Sequence, residues 1–412
     1  MRTNIKTHPH RLWRLGTRAI MTSCLLVAAV GAVAGPREQA RRMHDRIAGV
    51  PPTETVLTQM AADISSGNPI AAAYKAMDNS AFYDVTLKNF AAPWTNEDQS
   101  VFVPLNDYTA TVIGMIRDDV DFREVLYGDI LYVGAANLGL PAYGMNNNAL
   151  YQAMEDQGID LKANLVRTTQ SAVTGISSEA TAGVMTTRAA AQAFFIAGTN
   201  RAMFRFTMMN HLCTDLEPIK DISRPPDRIR QDVSRSPGGD SRIFLNKCIG
   251  CHAGMDPMAQ AFAYYDYDYN SDSDPDGVNG SLVYNGVGTV DPDTGSRVQG
   301  KYLINSDNFK PGYVTTDDHW DNYWRNGPNA LLGWDANLSG GGAGAKSLGK
   351  ELAHSDAFAR CQVKKVFKTI CLRDPKDSND FSKVDAMVIS FKSSNYKMKQ
   401  VFAEAGAYCM GD

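Results

Sequence analysis

The five residues Cys248-Ile249-Gly250-Cys251-His252 constrain this chain more than any other stretch of it. On a helical turn, residues three and four apart share a face, so two thiols and an imidazole in this spacing can be presented to one object. Cys-x-x-Cys-His is the attachment sequence of a c-type haem, in which the thiols bond the porphyrin and the histidine supplies an axial ligand to the iron. Two plainer readings use the same residues. A redox-active Cys-x-x-Cys wants a βαβ setting, which the flanks 240–247 and 253–257 do not supply. A structural zinc site needs a second ligand pair at similar spacing, and none follows in the sequence. The expectation is one covalent haem c, with Cys248 and Cys251 as attachment points and His252 as the proximal ligand.

The N-terminus predicts where such chemistry would take place. Arg2, Lys6, Arg11, Arg14 and Arg18 precede the apolar run from Ala19 to Val33, and Ala32-Val33-Ala34 stands before Gly35. That order reads as a signal peptide, 1–34, cleaved after Ala34. A lipid-modified Cys24 is disfavoured, because that residue lies inside the apolar run. The leader holds five of the 41 basic residues and none of the 45 acids, so the remainder carries 36 bases against 45 acids, a net charge of −9. This balance argues against nucleic acid and against an anionic membrane surface as partners. No later apolar stretch reaches the ~20 residues of a membrane span. The expected setting is therefore periplasmic or secreted, an oxidising compartment in which cysteines left over from haem attachment pair as disulfides.

A haem held by two axial ligands passes single electrons, whereas one with an open sixth position binds small molecules or peroxide. The distal residue thus separates an electron carrier, with redox proteins as its partners, from a peroxidase- or oxygenase-like enzyme; a third reading is an interaction module with a structural haem. Met255 and Met258 are tethered too close to the proximal histidine to cross the ring plane. Among the remaining histidines and methionines, His354, directly before a predicted helix, is the distal candidate. The electron carrier is the expected function.

The flanks carry a resemblance. Gly183-Val-Met-Thr-Thr-Arg188, Thr199-Asn-Arg201 and Asn210-His-Leu-Cys213 lead into Cys248-Ile-Gly-Cys-His-Ala-Gly-Met-Asp256-Pro257 and Ala261-Phe-Ala-Tyr-Tyr-Asp266. This resembles the uncharacterised secreted cytochrome-c-like proteins of planctomycetes, myxobacteria and marine proteobacteria, in which Asp-Pro follows the haem motif. Gly349 to Phe358, Cys361 and Leu372-Arg373 resemble the helical segment that closes those chains. The resemblance covers about 183–270 and 345–410, and implies haem binding by Cys248, Cys251 and His252 without implying a substrate.

The predicted architecture is mostly α: an α-rich N-terminal domain (35–215), then a cytochrome-c-like helical haem domain (216–412) with a small β/loop acidic insert (about 266–300) and a C-terminal helical segment (345–410). Asn68-Pro69 reads as an N-cap with proline at the first helical position. Thr109 to Met115, Phe122 to Val133 and Ala189 to Cys213, across Gly198, read as buried helical stretches. In the linker 218–239, Arg224, Arg228, Arg230 and Arg235 would suit haem propionates or a solvated loop. From Asp266 to Ser296 stand seven acids and no base. Within that stretch Asp272, Asp274 and Asp276, followed by Gly277, begin a calcium-loop pattern, but Val283 at the twelfth position excludes an EF-hand and leaves a Ca2+ site or a solvated acidic loop. Hairpins are predicted around 281–284 and 297–304. Trp320, Trp324 and Trp334 predict core packing or cover for a haem edge, and Gly340 to Gly344 a flexible hinge. Apolar residues at three and four predict a helix from Ser355 to Leu372, which holds Cys361 and Cys371 about 15 Å apart. They cannot bond each other, and an antiparallel return of the last segment predicts Cys361–Cys409 and Cys213–Cys371.

Overall fold

A computed structural model describes residues 34–196, 198–234, 241–308 and 312–411. The expected leader up to Val33, and Arg235 with the end of the linker, lie outside them. The fold is mostly α-helical, as predicted, and the described residues form three separate two-stranded antiparallel sheets. Among the described residues no helix is long and apolar enough to cross a membrane.

Three helices, Pro36–Ala48, Glu54–Ser65 and Pro69–Met77, pack on one another at the N-terminus. The third begins as its sequence requires: the Asn68 side chain accepts from the Ala71 amide, and Pro69, with no amide hydrogen to lose, opens the first turn. The last helix, Met398–Cys409, lies against Pro69–Met77 and against Asp356–Cys371. One hydrophobic cluster therefore runs from Ala40 to Cys409.

Two stretches expected to be helical are interrupted. Phe122, Val125, Leu126, Leu131 and Tyr132 are buried, but in a 3-10 turn, Phe122–Leu126, followed by the strand Leu131–Gly134. The stretch from Ala189 to Cys213 divides into Arg188–Phe194 and Arg201–Leu212. Asn200 breaks it: its backbone is left-handed (φ 60°), and its amide donates to the carbonyls of Phe262 and Tyr265, both at 2.9 Å. Asparagine tolerates that conformation better than most residues, and two buried hydrogen bonds outweigh the helical propensity of its neighbours.

Strand Ser281–Tyr284 exists, but its partner is Tyr265–Asp268, not a neighbouring hairpin arm, and 300–303 form a 3-10 turn. The expected hinge at Gly340 to Gly344 is instead an ordered edge: Gly341–Ala343 pairs with His319–Asp321. A side chain at Gly341 would stand 2.7 Å from the Asp321 carboxylate, so the glycines serve close approach of the two strands.

The C-terminal helices correct the expected disulfides. Asp356–Cys371, capped by Ser355, is continuous and keeps its two cysteines apart as predicted. The bridges are Cys213–Cys361 and Cys371–Cys409, with Cα–Cα distances of 5.2 and 5.4 Å. The error was one reversal of direction. Ser378–Ser393 stands between the other two helices and packs on both, so the chain turns twice and the last helix brings Cys409 to the Cys371 end. Cys361 then faces Cys213, which ends Arg201–Leu212.

That same helix buries His211, whose Nε2 lies 2.8 Å from the Tyr108 hydroxyl, between Trp94 and Phe358. Burial, and then Lys365, hold its pKa well below the usual 6.5. The unfolded chain takes up a proton near 6.5 whereas the folded one does not, so stability falls as pH drops through and below that value. Urea midpoints between about pH 8 and about pH 5 should fall more steeply for the wild type than for His211→Phe; equal slopes would remove His211 as the cause.

Candidate functional site

The motif stands where a π-helical turn, Phe244–Cys248, passes directly into the helix Ile249–Ala259. The helix is positioned on several sides. Arg201–Leu212 packs along it, the Asp221 amide donates to the Gly250 carbonyl at 2.9 Å, and Trp324 lies against Gly254. A Cβ at Gly254 would stand 2.0 Å from the Trp324 ring nitrogen, so this residue has to be glycine for the two elements to meet. Trp320 and Trp324 are buried, the core placement the sequence allowed for.

Both motif thiols are half-buried and unbonded, while the other four described cysteines are paired. Cys248 packs on Ile229, Val233 and Phe244. The Cys251 sulfur lies 3.6 Å from the Leu216 carbonyl, and burial pushes its thiol above the ordinary range. His252 is largely covered, and its Nδ1 lies 3.1 Å from Asp256 Oδ1, one turn further along. Against a carboxylate, which only accepts, the neutral ring carries its hydrogen on Nδ1 and turns the Nε2 lone pair outward.

Asp256 is completely buried and yet ionised. Burial alone would raise its pKa, but Arg201 and Arg230 outweigh that and hold the carboxyl well below the carboxylate range. Arg201 grips it with two hydrogen bonds, at 2.8 and 3.0 Å, and grips Asp232 with two more, at 2.7 and 3.0 Å. Arg230 approaches Asp256 to 3.6 Å and lies over the Tyr302 ring. It is 1% exposed, and none of its guanidinium nitrogens has a hydrogen-bond partner among the described residues. A buried cation in that state is an open receptor for an anion. Among the described linker arginines, Arg224 pairs with Asp221 and Arg228 with Asp321.

The remaining candidates have contacts of their own. His354 ends the helix Gly344–Ala353, with its Nδ1 2.8 Å from the Lys350 carbonyl and its ring beside Tyr127. These contacts involve none of Cys248, Cys251 and His252. Asp274 accepts from the amides of Val278 and Asn279, and so serves its own loop. Asp276 lines a cavity of about 440 Å3 together with Arg188, a cation, while Asp272 is exposed. Among the described residues no three His, Cys, Asp or Glu side chains stand where they could share a metal ion.

Asp256 was legible as a site residue, since four positions after His252 on a helix is the same face. Arg201 and Asp232 reach the site through tertiary packing and left no local sign. Comparison with known protein families, with curated proteins and with solved structures finds no match to this chain.

Proposed function

We propose that this chain is an exported monohaem c-type cytochrome that carries single electrons between redox partner proteins in the periplasm or outside the cell. It would belong with the secreted cytochrome-c-like proteins that its flanks resemble. The observation that carries the reading is the distribution of sulfur: four described cysteines are spent on disulfides, and the two left reduced are those of Cys-x-x-Cys-His. A pair of adjacent thiols left free in a disulfide-forming chain is in the state that thioether formation consumes.

The residues present fit the group. Cys248 and Cys251 would bond it, His252 would offer Nε2 to the iron, and Arg230 has unused donors for a propionate carboxylate. A bound haem supplies a one-electron couple whose potential depends on its axial ligands and their hydrogen bonds. The chain's own part is to fix the ring of His252 through Asp256, to keep that carboxylate charged through Arg201, and to pack the motif helix against Trp324.

The absorption spectrum of the exported protein tests this in both redox states. Sharp reduced bands that survive acid–acetone extraction are expected, and a colourless protein would end the proposal. One feature favours the enzyme as second reading: a carboxylate on the proximal histidine raises its donor strength, as suits oxidative chemistry. Carbon monoxide separates the two, since a carrier with both axial positions filled leaves its reduced spectrum unchanged.

A further inference from the structure

We infer that Asp256 is a positioning residue that lowers the reduction potential of the centre, by drawing on the Nδ1 hydrogen of His252. The inference rests on the haem reading above and goes beyond it to what sets the potential. Its basis is geometric: Asp256 Oδ1 faces His252 Nδ1 at 3.1 Å, one helical turn away, with no exposure to water. A histidine bound to a metal commonly gives its other ring hydrogen to a carboxylate, a carbonyl or water, and this partner sets the ring's basicity. A carboxylate draws hardest of the three. The ring then gains imidazolate character, donates more strongly, and favours the oxidised iron over the reduced.

The surroundings let this effect act through one bond. The cluster holds two cations, Arg201 and Arg230, and two anions, Asp256 and Asp232. Its formal charge sums to zero, so it adds little net field at the iron. What remains is the direction of the single contact to His252. Arg201 holds both oxygens of Asp256, which fixes the carboxylate plane and keeps Oδ1 on the ring. Buried charge of this kind is costly to assemble, and a chain that needed only a fixed ring could have used a backbone carbonyl.

The test is a redox titration of the haem-loaded full chain, followed by its absorption. Asp256→Asn should raise the midpoint potential by about 59 mV or more, a tenfold change in the one-electron equilibrium. Asp232→Asn is the control: it removes the same charge from the same cluster without touching His252, and should shift the midpoint by less than half as much. Should Asp256→Asn fail to fold, the wild type decides, because the 15N resonance of His252 Nδ1 in the reduced protein should lie displaced toward imidazolate. A resonance typical of a carbonyl-bonded ring, equal shifts in the two variants, or a shift of less than tenfold for Asp256→Asn in a coloured protein would overturn this inference and leave the haem reading standing. A colourless wild type would overturn both.

Discussion

Replacing Cys248 and Cys251 together by serine is expected to yield an exported, folded and colourless chain whose mass is lower than that of the wild type by one haem and the two sulfur-to-oxygen exchanges. The expectation of a retained fold is specific. Cys248 lies inside a helical stretch, where Phe244–Cys248 passes into Ile249–Ala259, and its side chain makes no capping bond that serine would have to replace. Both thiols are half-buried rather than core, so the exchange costs little packing. The two disulfides are untouched, and the main hydrophobic cluster is changed only at partly buried Cys251, which packs against it. Loss of colour would then report loss of attachment and not unfolding, which circular dichroism checks directly. His252→Ala should part the two roles: covalent mass retained, reduced spectrum changed, because on the proposed reading the thioethers would hold the group and the imidazole would set the field at its iron. A wild type at the mass of the bare trimmed chain, or a peptide map with a Cys248–Cys251 bridge, would refute the assignment.

How far the sequence reached depended on the range of the interaction. Local signals were read correctly: the Asn68-Pro69 start and the apolar face of Asp356–Cys371 are each decided within a turn or two of chain. The Cys-x-x-Cys-His spacing is equally local, and the approach of Asp256 to His252, one turn further on, is a local contact that went unread. What could not be read was settled across the fold. Asn200 abandons a helix for two carbonyls more than sixty residues away, and Gly341 and Gly342 form an edge strand because Trp320 and Asp321 lie opposite. The four arginines of the linker look alike in sequence. Only packing sorts them, giving Arg224 and Arg228 a carboxylate each and leaving Arg230 buried with its donors unspent. The disulfide error was of this kind as well, since the direction of the last helix depends on how many reversals precede it.

The corrected pairing carries the second large effect. A cross-link stabilises mainly by restricting the unfolded chain, and the restriction grows with the logarithm of the loop it closes. Cys213–Cys361 closes a loop of 148 residues and Cys371–Cys409 one of 38. The chain-entropy relation gives about 5 kcal/mol for the first and about 4 for the second. Against a total of about 5–15 kcal/mol for a folded domain, either is a large share. Cys213→Ala/Cys361→Ala should therefore lower the urea midpoint more than Cys371→Ala/Cys409→Ala, with the free energies extrapolated to water about 1 kcal/mol apart. Location works in the same direction. The longer loop joins Arg201–Leu212, which packs on the motif helix, to Asp356–Cys371, whereas the shorter one ties together Asp356–Cys371 and Met398–Cys409, neither of which packs on the motif helix to that extent. Loss of the first bridge should thus also loosen the site, seen as faster amide exchange along Ile249–Ala259, while loss of the second should leave that exchange unchanged. The reverse order of midpoints, or equal exchange in both variants, would mean that the site is not supported through Arg201–Leu212.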